Sequence, residues 1–414
     1  MKYPCALRRF NVYYDARLVI LLLTGFIGCQ ASDVETVGRN VTTPQASDSL
    51  SIQRSDWPLF RGDPLSSGVS RGRLPKSLSL LWTFTVENGG FESTAAIVDG
   101  VVFIGDLDGR FFALRLSDGE KLWSCESEEQ IGFVSSPAVC DHLVYIGDVD
   151  GVFHCFDATQ GERQWLHVTQ AEINSSANFY GDNVLVGSQD ATLYCLNAKS
   201  GALVWKHAID DQVRCTPTVV EDKAFLVGCD AKLHIIDLDT GTMAHAVPLD
   251  SPSGTTPAVL GDSAFFGTHG GTFYSVNWRQ GEVQWTFEDP EDAQSFRASA
   301  AVTEQVVAIG CRNRRIYGLE PDTGNLRWTF AAKRSVDSSP VIVNDRIYVG
   351  SSDGRLYGLD AETGREVWQY EVGGGIVASP AVADERLVIA NDDGRVFCFG
   401  SPHDGDQSGK DPNL

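Results

Sequence analysis

The chain has 414 residues, with 33 lysines and arginines against 55 aspartates and glutamates, a formal net charge of −22. That acidity argues against a nucleic-acid partner, which needs a basic face. The 43% hydrophobic content excludes a chain that stays unfolded for want of core-forming side chains.

The N-terminus reads as an export signal. Lys2, Arg8, Arg9 and Arg17 precede an apolar run from Leu18 to Ile27. The run is too short to span a bilayer, which takes ~20 residues, so residues 1–28 are expected to be a signal peptide. Phe26-Ile27-Gly28-Cys29 resembles a bacterial lipobox, with Phe26 where leucine is usual. The resemblance implies a lipidated Cys29. Gln30, in place of an aspartate behind the cysteine, implies the periplasmic side of the outer membrane; without lipidation the protein is secreted or periplasmic. Residues 29–55, rich in Ser, Thr, Gln and Asp, read as a flexible tether.

Past the tether comes a short leader, Asp56-Trp57-Pro58-Leu59-Phe60-Arg61-Gly62-Asp63, then an isolated strand around Leu81-Trp82-Thr83-Phe84. From there one unit repeats. Tryptophans fall at Trp82, Trp123, Trp165, Trp205, Trp285, Trp328 and Trp368, with His245 at the missing beat. A period near 40 means one supersecondary unit copied along the chain. Residues 338–370 show it: Val341 to Val343, Ile347 to Val349, Leu356 to Leu359, and a fourth run carrying Trp368, separated by Asn344-Asp345, Asp353-Gly354 and Thr363-Gly364. Four short β-rich runs between turn residues make a meander.

The same frame gives glycine at the end of the second strand (Gly105, Gly147, Gly187, Gly228, Gly267, Gly310, Gly350, with Ala390 in the eighth copy). It gives another glycine four residues before His245 and before each tryptophan from Trp123 to Trp368, running from Gly119 to Gly364. The eighth copy stops after its third strand, and the isolated strand at Trp82 is the fourth strand it lacks. The expected fold is all-β: an eight-bladed propeller of four-stranded antiparallel blades, the last closed by the N-terminal strand. Residues 56–400 then form a single domain, because no repeat buries its faces alone, and 401–414 form a disordered tail.

The pattern G-S-x-D-G-x-L-Y-A-L-D-A-x-T-G-x-x-x-W, clear at Tyr194-Cys195-Leu196-Asn197-Ala198 and Tyr357-Gly358-Leu359-Asp360-Ala361, resembles the PQQ-like repeat of bacterial eight-bladed propellers. The leader at Asp56–Asp63 fits the same family. It includes quinoprotein dehydrogenases and also BamB-like outer-membrane assembly lipoproteins, so the resemblance implies the fold and leaves two functions open.

Of the ten cysteines, Cys155, Cys195 and Cys398 occupy one slot in different copies, and Cys229 and Cys311 another. Equivalent slots should lie beyond the ~7 Å limit for bridging, so free cysteines are expected. No nucleophile elbow, phosphate loop, histidine pair or adjacent-cysteine pair is present. His154 and His234 fill a slot that is tyrosine at Tyr194, Tyr274, Tyr317 and Tyr357, and read as structural.

One slot does vary. The residue entering each first strand is Glu92, Val134, Asn174, Arg214, Gly254, Arg297, Asp337 and Val377 in turn. One per blade, these should converge at the channel mouth. Glu92, Asn174, Arg214, Arg297 and Asp337 are candidates to hold a carboxylated ligand such as pyrroloquinoline quinone (PQQ), or a small cation; the alternative is an ion-pair ring that neutralises itself. Phe91, Phe133 and Phe296, among charges in the loops before this slot, are candidates for exposed partner-binding anchors. They equally suit plugs folded back into the mouth. The favoured function is a non-catalytic, monomeric scaffold at the cell envelope, binding envelope or outer-membrane proteins and needing no cofactor or catalytic residue. The alternative is a dehydrogenase of alcohols or sugars using PQQ and calcium.

Overall fold

A computed structural model of the protein describes residues 55–127 and 130–401. The expected signal peptide and Cys29, together with the expected tether up to residue 54 and the expected tail from residue 402, lie outside the described residues.

Among those residues are thirty-two strands and no α-helix, grouped in eight four-stranded antiparallel sheets. Blade 1 is Ala96–Val98, Val101–Gly105, Arg110–Arg115 and Lys121–Glu126, in that spatial order. Blades 2 to 7 repeat the meander over 138–168, 178–208, 218–248, 258–287, 301–331 and 341–371. Blade 8 supplies Ala381–Ala383, Arg386–Ala390 and Arg395–Gly400, and its fourth strand is the N-terminal Ser79–Thr85, paired from Ser79↔Gly400 to Thr85↔Arg395. The ring thus closes on its own first strand.

Burial explains why these runs are strands. The second and third strands are buried on both sides, because each blade is covered by its neighbours, and they read as continuous apolar runs such as Leu143–Gly147. The fourth strands, on the circumference, alternate between exposed and part-buried residues, as a half-buried strand does. The core is accordingly divided into apolar clusters lodged mostly between adjacent blades.

The tryptophans are the fasteners of these seams. In every blade the pairing of third with fourth strand slips by one residue just before the tryptophan position. Such a bulge bends the strand and re-aims the side chain. The indole then lies against the next blade's turn and donates to a carbonyl there: Trp123 to Ala158, Trp165 to Ala198, Trp205 to Leu238, Trp285 to Pro321 and Trp328 to Ala361, at 2.9–3.1 Å. The glycine in each receiving turn has positive φ, and a Cβ on Gly161 or Gly364 would come within 2.6 or 2.5 Å of the ring. The seam between blades 4 and 5 differs. His245 stands 3.7 Å from the corresponding position of Gly281. Trp278 approaches from blade 5 instead, edge-on to Phe225 of blade 4 at 5.5 Å. Arg279 lies over its ring at 4.1 Å and ties Glu221 to Asp262 across the seam.

The leader crosses the face of the ring where the first strands end. Trp57 exchanges both backbone hydrogen bonds with Ile97, and Pro58, Pro64, Leu65, Ser67 and Gly68 each accept from the first strand of another blade. This strap turns sharply: Arg61 has φ +68°, and a Cβ on Gly62 would strike the Trp57 ring. The strap makes that face the floor of the central channel and leaves the opposite face, where the first strands begin, as its mouth.

Candidate functional site

All eight slot residues, Glu92, Val134, Asn174, Arg214, Gly254, Arg297, Asp337 and Val377, line one cavity of about 160 Å³ on the channel axis. They do not neutralise one another. Asp337 is held from outside the slot, by Arg312, through two 3.0 Å bonds. Arg214 donates to two neutral groups, Gln212 at 3.0 Å and Gln189 at 3.3 Å, and Gln189 also donates to Asn174 at 2.8 Å. Among the described residues, neither Glu92 nor the exposed Arg297 side chain has a hydrogen-bond or ion-pair partner.

A second ring lies just below. Two places after each slot comes a hydroxyl residue: Thr94, Ser136, Ser176, Thr216, Thr256, Ser299, Ser339 and Ser379. Each hydroxyl oxygen accepts the backbone N–H of its counterpart in the preceding blade, at 2.8–3.2 Å, and Ser379 N–H closes the circle on Thr94. All eight line the cavity. Sequence reasoning missed this ring although the signal was present, a Ser or Thr in every copy at fixed offset from a slot that varies.

The floor is Phe60, with Arg61 behind it. Arg61 is buried; its guanidinium donates to the carbonyls of Ala300 and Pro340 at 2.9 and 2.5 Å. Its Nε and Nη1 have no partner among the described residues. Burial lowers its pKa to about 9, partly offset by Asp63, so the group is still charged at neutral pH.

The three phenylalanines are not exposed anchors, which corrects that expectation. Phe91, Phe133 and Phe296 are buried, at 0%, 0% and 1% exposure. Each precedes its slot residue, where other blades have Ile173, Val213, Val336 and Ile376. The second-strand glycine of the neighbouring blade makes room for that side chain: a Cβ on Gly105 would lie 2.6 Å from Phe133, and one on Gly267 2.3 Å from Phe296. They are seam packing, with Phe296 edge-on to Phe273 and Tyr317. The histidines of the tyrosine slot are likewise built in. His154 and His234 bond Asp148 and Asp230 of the mouth loops at 2.8 and 2.9 Å, as Tyr194 and Tyr357 bond Asp190 and Asp353 at 2.7 Å. The eight described cysteines are free.

The cavity supplies oxygen ligands of the kind calcium takes, from Glu92, Asn174 and Asp337, but little for PQQ itself. A fused-ring quinone needs aromatic faces to lie between, and Phe60 is the one aromatic side chain lining the space. Among the described residues no group of three or more His, Cys, Asp or Glu is placed to hold a metal ion.

The fold and its axial cavity define an eight-bladed propeller of the PQQ-repeat class. The family described as outer membrane protein assembly factor BamB matches over residues 75–179, 172–285, 217–337 and 312–408, and the chain belongs to it. No curated protein matches. Among solved structures, BamB from Moraxella catarrhalis is 19% identical, with TM-score 0.66 over 79% of this chain and 98% of that one. A europium-containing methanol dehydrogenase is 12% identical, with TM-score 0.72 over 85% and 99%. The computationally designed protein Ika8 is 16% identical, with TM-score 0.70 over 80% and 100%. At these identities the likeness is one of fold.

Proposed function

We propose that this protein is an exported, membrane-anchored, monomeric scaffold that binds other proteins of the cell envelope without catalysing a reaction. The observation that carries the reading is the family match across almost the whole propeller, to a family described as an assembly factor. The site supports it. Among the described residues the blades are joined by short loops that build no lid, and the mouth brings together no nucleophile–base pair. Anchoring through Cys29 keeps the propeller at the membrane and leaves the mouth face, which the strap does not cross, for partners.

The test is made in native membranes. Tagged wild-type protein should partition with detergent and co-purify with defined outer-membrane proteins, whereas Cys29→Ser should be aqueous or unprocessed. Wild-type protein found wholly in the aqueous phase, with no reproducible partner, would remove the proposal. The dehydrogenase reading rests on the fold shared with the methanol dehydrogenase. Dye reduction by purified protein supplied with PQQ, calcium and an alcohol or sugar would reinstate it.

A further inference from the structure

The cavity lining sets two arginines without an ion-pair partner among the described residues, Arg214 and Arg297, beside two carboxylates, Glu92 and Asp337. Arg214 and Arg297 stand on the rim two blades apart, Arg312 rises from a loop of blade 6, and His269 from a loop of blade 5. Burial first, and then the guanidiniums of Arg297, Arg214 and Arg312, hold the His269 imidazole below its ordinary pKa, which places all four groups in one field. Only Arg312 is balanced, by Asp337. The glutamines that hold Arg214 fix its direction and leave its charge, and Arg297 is unpartnered among the described residues.

The layer below has the same polarity. Each of the eight hydroxyl oxygens is occupied as an acceptor, while its own O–H has no acceptor among the described residues. The buried Arg61 bonds the carbonyls of Ala300 and Pro340, next in sequence to two members of that ring, and adds a cation behind the floor. The blade 4–6 sector therefore offers hydrogen-bond donors and two cations, Arg214 and Arg297, that have no ion-pair partner among the described residues; of the carboxylates nearby, Glu172 accepts from Gln189 at 2.6 Å and Asp337 is paired with Arg312. Glu92, the unpaired carboxylate, belongs to blade 1 on the other side of the ring.

We propose that the mouth between blades 4 and 6 binds a small oxyanion, one carboxylate or phosphate group, seated against Arg214 and Arg297 with the hydroxyl ring beneath it. Charge-assisted bonds from guanidinium to an oxyanion are the strong, directional kind. At 160 Å³ the cavity has room for roughly five waters at about 30 Å³ each, which suits one such group and its hydration. The site is independent of whether the protein is a scaffold.

The experiment titrates the purified protein with inorganic phosphate and, separately, with acetate. Calorimetry and the His269 ring signals in NMR are the readouts. At least one anion should bind saturably and raise the His269 pKa, because a bound negative charge offsets the guanidiniums. Binding by phosphate alone, or by acetate alone, identifies the natural group. Arg297→Gln should weaken that anion about tenfold or more with an unchanged melting temperature, since Arg297 makes no bond within the fold. The proposal is overturned if neither anion saturates by about 50 mM, a Kd far weaker than ~1 mM. It is equally overturned if Arg297→Gln binds as the wild type does, or if His269 does not respond.

Discussion

Asp289, in the loop that enters blade 6, shows how a single carboxylate holds a mouth loop. It accepts from the Tyr317 hydroxyl and the Arg315 guanidinium, both at 2.5 Å, and from the Glu291 amide at 2.9 Å. Burial pushes its pKa up, but Tyr317, Glu291 and Arg315 together outweigh that and hold it at about 2. A carboxyl depressed below its unfolded value of about 3.9 stabilises the fold above that pH, and the contribution is lost as pH falls towards 2. Asp289→Asn should therefore lower stability at pH 7 by roughly 1–3 kcal/mol. The gap to wild type should shrink between about pH 4 and pH 2. Chemical denaturation at several pH values measures it, and a gap that stays constant would remove the charge from the explanation. Single residues were unevenly legible in sequence. The glycines and the variable slot stood out by period alone. Phe133 and Phe296 stayed undecided between exposed anchor and inward plug because charged neighbours suit either; alignment with Ile173 and Val336 in their own slot points inward, since a slot apolar in most copies is a core slot.

At the scale of the element, the unit of cohesion is the bulged fourth strand, its indole and the glycine that receives it. The period revealed both ends of this contact, but not the bulge, which depends on two strands being paired and leaves no residue type behind. Nor did the gap at His245 disclose its replacement. Trp278 lies outside the 40-residue ruler, and only the fold brings it against Phe225. Two glycine substitutions separate backbone strain from docking. Gly281 and Gly364 have nearly the same φ, +70° and +68°, so alanine at either costs ~1–2 kcal/mol of left-handed strain. At Gly281 the new Cβ meets only His245, at 3.7 Å, whereas at Gly364 it enters the Trp328 ring at 2.5 Å. Gly364→Ala should thus be the more destabilising by an amount approaching Trp328→Ala, about 3–5 kcal/mol. Equal losses at both glycines would mean that the indole yields freely and does not fasten the seam.

For the whole molecule the question is what keeps a ring of eight similar units shut. Both fastenings come from the N-terminal side of blade 1. Ser79–Thr85 completes blade 8 and covers the edge of Arg395–Gly400, which would otherwise present unpaired backbone groups. The strap acts on a different scale, because residues 55–70 bond every blade: Asp384 of blade 8 through Ser55, Ile97, Val139 and Asn178 of blades 1 to 3, and Val219, Val259, Val302 and Ile342 of blades 4 to 7. A tie to all eight units resists opening at any seam. Two truncations tell the roles apart. Removal of residues 1–71 leaves the closing strand and should preserve a folded ring that melts earlier, by roughly 5–15 °C if the strap contributes several kcal/mol. Its floor, without Phe60 and Arg61, should be open. Removal of residues 1–86 also takes the closing strand, and should abolish cooperative melting and promote association through the bared edge. Calorimetry with light scattering reads both outcomes. A chain starting at residue 72 that melts where the full protein does would make the strap a passenger on the floor, and ring closure would rest on Ser79–Thr85 alone.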